Sequence, residues 1–310
     1  MKVVVTGGAG FIGANLVRQL LADDDIREVV VVDDLSTGSA ANLPGTGVEL
    51  RKGTILHPAL LDDAFRGADA VVHLAAVPSV PRSVADPVTS HHANATGTLE
   101  VLQAVRRAGG PYLVLASSSS VYGANPTLPK SEDLRTAPLS PYAVSKLATE
   151  AYALAFAYCY GLQVLPFRFF NVFGPLQAAG HAYAAVVPSF LDAALNGRPV
   201  IVHGDGEQTR DFTYVGTVTR VLADAVRQRA TSDVAVNLAF GTRTSLNELL
   251  SLMEAELGSP VTREHVAPRE GDVRHSQADN TRLRALFPEV DPVPLREGLA
   301  ETVAWFRSPA

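Results

Sequence analysis

Tyr142 and Lys146 stand four residues apart in the stretch Pro141-Tyr142-Ala143-Val144-Ser145-Lys146. On a helix that spacing puts both side chains on one face. A free tyrosine has a pKa of about 10 and is a poor base at neutral pH. Making it a usable base takes roughly 4 kcal/mol. One ammonium about 4 Å away in a half-buried site supplies an amount of that order. A lysine one turn along a helix can therefore turn the tyrosine into a general base. Ser118 lies in the run Ser117-Ser118-Ser119-Ser120-Val121-Tyr122-Gly123 and adds a hydroxyl able to hydrogen-bond an alkoxide or a carbonyl. Taken alone, the pair also fits a core tyrosine beside a solvated lysine, and the serine run fits a loop. The elements around them decide.

Tyr142 to Tyr160 is rich in Ala, Leu and Tyr without Pro or Gly, so a helix is expected, with Ser140-Pro141 as cap and first position. Tyr112 to Ala116 reads as a strand running into the serines, which places Ser118 at a strand end facing a crevice. At the start of the chain, Lys2 to Thr6 reads as a buried strand and is followed by Gly7-Gly8-Ala9-Gly10-Phe11-Ile12-Gly13 and a helix to about Leu21. Gly7 allows the tight turn, Gly10 lets the backbone approach a pyrophosphate, and Gly13 lets helix and strand pack closely. The helix N-terminus offers amides and a partial positive charge to phosphates.

Glu28 to Val32 is a second strand, and Asp33 ends it about 20 residues after Gly13, where an acid holds ribose hydroxyls. A carboxylate there repels a 2′-phosphate and favours NAD over NADP. Asp34 is its rival for the role, and Ser36, Thr37 and Gly38 form the loop around that ribose. Further strands are expected at Val48 to Arg51, Ala70 to Leu74, Gln163 to Arg168 and Val234 to Leu238. Helices are expected near Pro58 to Phe65 and over Asn94 to Arg107, Ala182 to Leu195 and Thr217 to Arg229, with Pro78 to Pro87 a loop between two of the elements. Ser245 to Leu257 carries Ser245 as N-cap and Glu248 at the capping-box position. His73 and Asn94 read as packing or backbone-bridging residues. Arg210 ends the polar turn Gly204 to Thr209, where a fork of donors beside glycines suits a phosphate.

The expected architecture is α/β: a Rossmann-type doubly wound parallel sheet with a smaller, discontinuous C-terminal substrate-binding domain. Residues 1–170 with about 213–240 form the dinucleotide-binding part, and about 171–212 with 241–310 the substrate part. The 310 residues can bury a real core, and 47% hydrophobic with 19% charged residues fits a globular enzyme. A net charge of −6 with no basic stripe argues against nucleic-acid binding. The single cysteine, Cys159, is expected to pack within its helix and points to a reducing cytoplasm. The N-terminus enters a strand at once, so no signal peptide is expected, and no apolar run approaches the ~20 residues that span a bilayer. No metal ligands are assigned.

Thr6 to Gly13, Asp33, the serine run with Val121-Tyr122-Gly123, and Tyr142 with Lys146 resemble the extended short-chain dehydrogenase/reductase family. Within it the chain is similar to NAD-dependent nucleotide-sugar epimerases of the UDP-glucose 4-epimerase kind. The similarity continues through Arg168 to Pro175, Gly204 to Phe212 and Arg269-Glu270-Gly271-Asp272. The resemblance implies catalytic roles for Ser118, Tyr142 and Lys146. It implies cofactor contacts from Phe11, Ile12, Thr54, Ile55, Leu74, Ala75, Ala76 and Asn94 beside the glycines, Asp33 and its loop. It implies substrate contacts from Ser118, Ser119, Tyr142, Asn171, Val187, Arg210, Arg269, Asp272 and Ser276, a UDP-sugar as ligand, and a homodimer pairing the helices of Asn94 to Arg107 and Tyr142 to Tyr160.

Departures from the family pattern sharpen the reading. Related 4,6-dehydratases carry an Asp-Glu pair where this chain has Ser119-Ser120, and related decarboxylases a Glu at the second position. Elimination needs that acid and base, so both reactions lose their catalysts here while oxidation at C4 keeps its own. Thr54 replaces an Asp that contacts adenine, and nothing explains Gly216-Thr217 in place of an Asp pair. Ser276 is small where an aromatic restricts the pocket to plain hexoses, leaving room for an N-acetylated sugar. Asn171 with Gln177-Ala178-Ala179 speaks against a uronic acid.

Overall fold

The computed structural model describes residues 1–179, 185–268 and 273–308. In chain order the first part runs β1 (Lys2–Thr6), α1 (Phe11–Leu21), β2 (Glu28–Asp33), β3 (Glu49–Lys52), α2 (Pro58–Phe65), β4 (Ala70–His73), α3 (Val80–Ala85), α4 (Pro87–His91), α5 (Gly97–Arg107), β5 (Tyr112–Ser118), α6 (Pro141–Tyr160) and β6 (Val164–Phe169). The rest runs β7 (Asn171–Phe173), α7 (Val186–Leu195), β8 (Val200–His203), β9 (Thr209–Arg210), β10 (Phe212–Tyr214), α8 (Val215–Gln228), β11 (Val236–Leu238), β12 (Thr244–Ser245), α9 (Leu246–Leu257), β13 (Arg263–Val266), α10 (Thr281–Leu286) and α11 (Leu295–Arg307).

Strands rich in Val and buried on both faces belong in a parallel sheet covered by helices on each side. Seven of them form one in the order β11-β6-β5-β4-β1-β2-β3, every pair parallel. The strand period splits the apolar residues between the two faces. Val3 and Val5 pack with α1 and α8 through Leu16, Leu20, Val218 and Leu222. Val4, between them, packs on the other face with α2, α5 and α6 through Phe65, Leu102, Val105 and Phe156. The order reverses direction between β1 and β4, and the crevice at the carboxyl ends of those strands is where such sheets bind ligands.

A second, smaller core joins α7, β8, α9 and α11 through Phe190, Leu191, Val200, Leu250, Met253 and Leu299. Its short strands pair as β13 with β8, β12 with β9 and β10 with β7. Helix α9 begins on the expected capping box, with Ser245 and Glu248 each accepting the other's backbone N–H.

Three local expectations are corrected. The segment Pro78 to Pro87 is not a loop but holds α3 and the start of α4. Ser79 and Asp86 cap these helices by accepting from Arg82 and Thr89, and the prolines fall in the first turns, where no N–H is needed. The helix expected from Asn94 begins as a π-helical turn over His92–Thr96 before α5. Cys159 is exposed rather than packed, because the last turn of α6 runs beyond the core. Among the described residues no helix is long and apolar enough to cross a membrane.

Candidate active site

The glycine loop after β1 is shaped for close approach. Gly7 has φ +75°, and a Cβ there would meet the backbone of Ala75 at 2.6 Å and of Leu74 at 2.8 Å. A Cβ on Gly13 would collide with the Gly7 carbonyl oxygen. The loop therefore lies directly against the end of β4, bringing Leu74 and Ala75 beside Gly7. Gly10 is the N-cap of α1 and offers no side-chain cap to the first-turn N–H groups. Those donors suit an anion, so the loop fits a dinucleotide pyrophosphate. Phe11 and Ile12 form that first turn.

Asp33 is buried, and its carboxylate accepts from Ala9 N–H at 2.9 Å and from Leu35 N–H at 2.9 Å. Burial raises its pKa, while the two backbone bonds act against the rise. Each oxygen keeps acceptor capacity for a ribose hydroxyl. Asp34 is exposed and accepts from Ser36 N–H at 2.8 Å. Gly38 lies against the Ala9 carbonyl, so the Ser36-Thr37-Gly38 loop folds back on the glycine loop. Thr54 spends its hydroxyl locally on Leu56 N–H, and Ile55 is buried against Gly97.

The catalytic candidates converge at the end of β5. Ser140 caps α6 by accepting Ala143 N–H at 3.1 Å. Ser83 of α3, fully buried, accepts Tyr142 N–H at 3.0 Å, pinning the first turn of α6. The Ser118 hydroxyl lies near enough to the Tyr142 hydroxyl to act on its proton affinity. Lys146 is buried and donates to the Ala116 carbonyl at 2.8 Å. Burial pushes the Lys146 ammonium down to about 8. For Tyr142 the outcome differs from the sequence expectation: burial raises its pKa, and the opposing influence comes from the Ser118 hydroxyl rather than from Lys146. The reason is geometric, since Lys146 Nζ is turned to the β5 backbone.

Behind them runs a buried polar network. Asn94 accepts from Val77 N–H at 2.8 Å and donates to Val77 O and to Ser145 Oγ, so it does bridge backbone and helix. His73 lies between Thr6 at 2.7 Å and Thr98 at 3.1 Å, and burial with the Lys146 charge pushes it down to about 3. It is neutral, which matters beside an ammonium. Arg168 makes a buried bidentate pair with Glu150 of α6, and its Nη1 reaches Tyr122 Oη at 2.9 Å.

Asn171 opens β7, with its N–H on Asp211 O at 3.2 Å. Arg210 is held by its Nη1 on Thr209 O at 2.9 Å and Arg274 O at 3.3 Å. Ser276 sits beside it through its N–H on Thr209 O at 3.1 Å. Sequence reading missed the other cations of this region: Arg243 donates to Thr209 Oγ1, and His275 shares that oxygen at 2.9 Å. Arg243, Arg274 and His275 come from segments far from Arg210 in sequence, with no spacing to betray them. Asp211 is fully buried and accepts from Gly241 N–H, Thr242 O–H and Ala278 N–H, which ties these segments together. Val187 is buried in the small core. Arg269 and Asp272 lie outside the described residues.

A family model described as "NAD dependent epimerase/dehydratase family" matches residues 3–239. A UDP-glucose 4-epimerase of Mycolicibacterium smegmatis is 39% identical over 315 residues, covering 99% of each chain. Among solved structures, a UDP-N-acetylglucosamine 4-epimerase from Methanobrevibacter ruminantium, in complex with UDP-N-acetylmuramic acid, superposes with TM-score 0.93 at 36% identity over 98% of this chain and 97% of that one. A UDP-glucose 4-epimerase from Thermotoga maritima with UDP-glucose does so with TM-score 0.93 at 34% identity over 99% of both.

Proposed function

The chain belongs to the NAD dependent epimerase/dehydratase family, and from that premise we propose that it inverts C4 of a UDP-hexose through a transient 4-keto sugar. The carrying observation is the convergence of Ser118 and Tyr142 beside buried Lys146 at the carboxyl end of the sheet. Bound NAD supplies an acceptor for the C4 hydride and its return. Tyr142 takes the proton of the sugar 4-hydroxyl and later gives it back to the inverted centre. Ser118 hydrogen-bonds the reacting oxygen, and Lys146 holds the nicotinamide ribose and adds positive charge. Asp33 takes the adenosine ribose. Residues from about 171–212 and 241–310 serve as the nucleotide-sugar part, where Asn171, Arg210, Arg269 and Asp272 together hold the nucleotide diphosphate and the uridine ribose.

UDP-glucose and UDP-galactose are the pair this reading names first. Ser276 leaves room for the N-acetylated pair. The proposed assembly is a homodimer, supported by exposed apolar side chains on helices that pack together: Val84, Val88, Val144 and Tyr152. Sedimentation of a monomer alone at micromolar concentration would remove that part. The single cysteine supports a reducing cytoplasm.

The test of the reaction is a sugar-nucleotide panel without added cofactor, read by chromatography. Interconversion of a 4-epimer pair is expected. Formation of a 4-keto-6-deoxy sugar, or no turnover even with NAD supplied, would overturn it.

A further inference from the structure

Ser118 has two neighbours besides Tyr142, and both come from one residue. Ser120 N–H donates to Ser118 Oγ at 3.2 Å, and Ser120 Oγ–H donates to the same oxygen at 2.9 Å. The arrangement follows from the chain path. β5 ends at Ser118, which caps a short 3₁₀ turn over Ser119–Tyr122, and that turn carries Ser120 back over the Ser118 side chain. A serine hydroxyl has two acceptor lone pairs and one proton. Ser120 occupies both lone pairs.

We propose that Ser120 is a positioning residue: by filling both acceptor sites of the Ser118 hydroxyl, it makes Ser118 a donor only and aims its single proton toward Tyr142, where it meets the phenol oxygen in the free enzyme and the sugar O4 in the complex. The proposal rests on the epimerase reading and deepens it. A Ser118 that cannot accept leaves the proton of the substrate 4-hydroxyl one place to go, the Tyr142 oxygen. A Ser118 with a free lone pair could take that hydrogen bond itself and leave the tyrosine without its proton. Ser120 thus serves inward, on the catalytic hydroxyl, at a position where an acid in related enzymes serves the substrate.

The groups around Tyr142 define what a titration reports. Lys146 lies on its own helix, with neutral His73 beyond it on β4. Glu150 and Arg168 neutralise each other two turns along. Helices α3 and α4, packed on α6, bring Arg82, Asp86 and His91. None of these changes when the Ser120 hydroxyl is removed.

The experiment titrates phenolate absorbance in the NAD-loaded protein without substrate, with Tyr142→Phe as the blank. Ser120→Ala is expected to move the Tyr142 midpoint upward, in the same direction as Ser118→Ala, and Ser120→Thr to restore it. In the double variant Ser118→Ala/Ser120→Ala the shift equals that of Ser118→Ala alone, because Ser120 acts only through Ser118. With UDP-hexose, Ser120→Ala lowers kcat about fivefold, the worth of one hydrogen bond, and leaves KM unchanged. An unmoved midpoint with wild-type kcat, or a shift that adds fully to that of Ser118→Ala, overturns the proposal. If the midpoint moves as expected but no sugar is epimerised, the positioning role stands and the proposed reaction falls.

Discussion

The carboxyl end of the sheet and the Arg210 turn hold their polar side chains differently. Ser118 ends a seven-residue strand in mid-sheet, and Tyr142 and Lys146 sit in the first turns of a 20-residue helix. Each side chain there is fixed by long elements and by buried partners: Ser83, Ser140, the Ala116 carbonyl and the Arg168–Glu150 pair. Arg210 belongs to a two-residue strand, and its neighbours Arg243 and Arg274 are exposed. What organises that region is one buried carboxylate, Asp211, gathering two segments, Gly241-Thr242 and the one at Ala278, onto its own. Under the proposed function the difference becomes a division of labour: the chemistry is placed on rigid elements, and the nucleotide grip on short segments clamped from beneath.

The largest effect expected from the rigid side is on rate. Tyr142→Phe should lower kcat by about 10²–10⁴-fold with the thermal midpoint nearly unchanged, measured by turnover and calorimetry. A loss of stability in parallel would mean that the hydroxyl holds the fold rather than the proton. Next comes the ion pair behind α6. Arg168→Met leaves Glu150 buried and unpaired, which should destabilise by roughly 3–5 kcal/mol in denaturant melts. Replacing both partners with Met should recover most of it. If the single variant were as stable as wild type, the pair would not be what holds α6 against β6.

The clamped side should respond in binding. Arg210→Ala removes a charged donor worth roughly 1.5–3 kcal/mol, raising KM for the nucleotide sugar by about tenfold or more while kcat stays within a factor of a few. A fall in kcat at constant KM would move Arg210 into the chemistry and erase the division. The smallest effect is a pH slope. The folded-state pKa of Lys146 is lowered to about 8 by burial, so between that value and its ordinary value the unfolded chain binds more protons. Stability then rises with pH across that window. Relative to Lys146→Met, wild type should gain stability from pH 8 upward. A flat difference would mean the ammonium is not desolvated.

The same contrast explains what could be read in advance. The strands, α1, the Asp33 position and the helix of Tyr142 were legible because they are long, periodic and punctuated by glycines and caps. Ser245 and Glu248 gave away α9 for the same reason. Around Pro78 to Pro87 the prolines read as breakers, because their harmless place in a first turn depends on caps three residues away. The reversal at Tyr142 came from orientation: spacing puts Lys146 on its face, but only the folded chain reveals that Nζ points to Ala116. Arg243 and His275 meet at Thr209 across separations that no local pattern encodes.

The most direct test follows the hydrogen at C4. UDP-glucose deuterated at C4, incubated with the protein in ordinary water, should give UDP-galactose that keeps the deuterium at C4, because the hydride leaves and returns within one site while only the hydroxyl proton passes through Tyr142. Epimerised product with the label lost to water would contradict a hydride held by the cofactor, and with it the catalytic roles of Ser118, Tyr142 and Lys146.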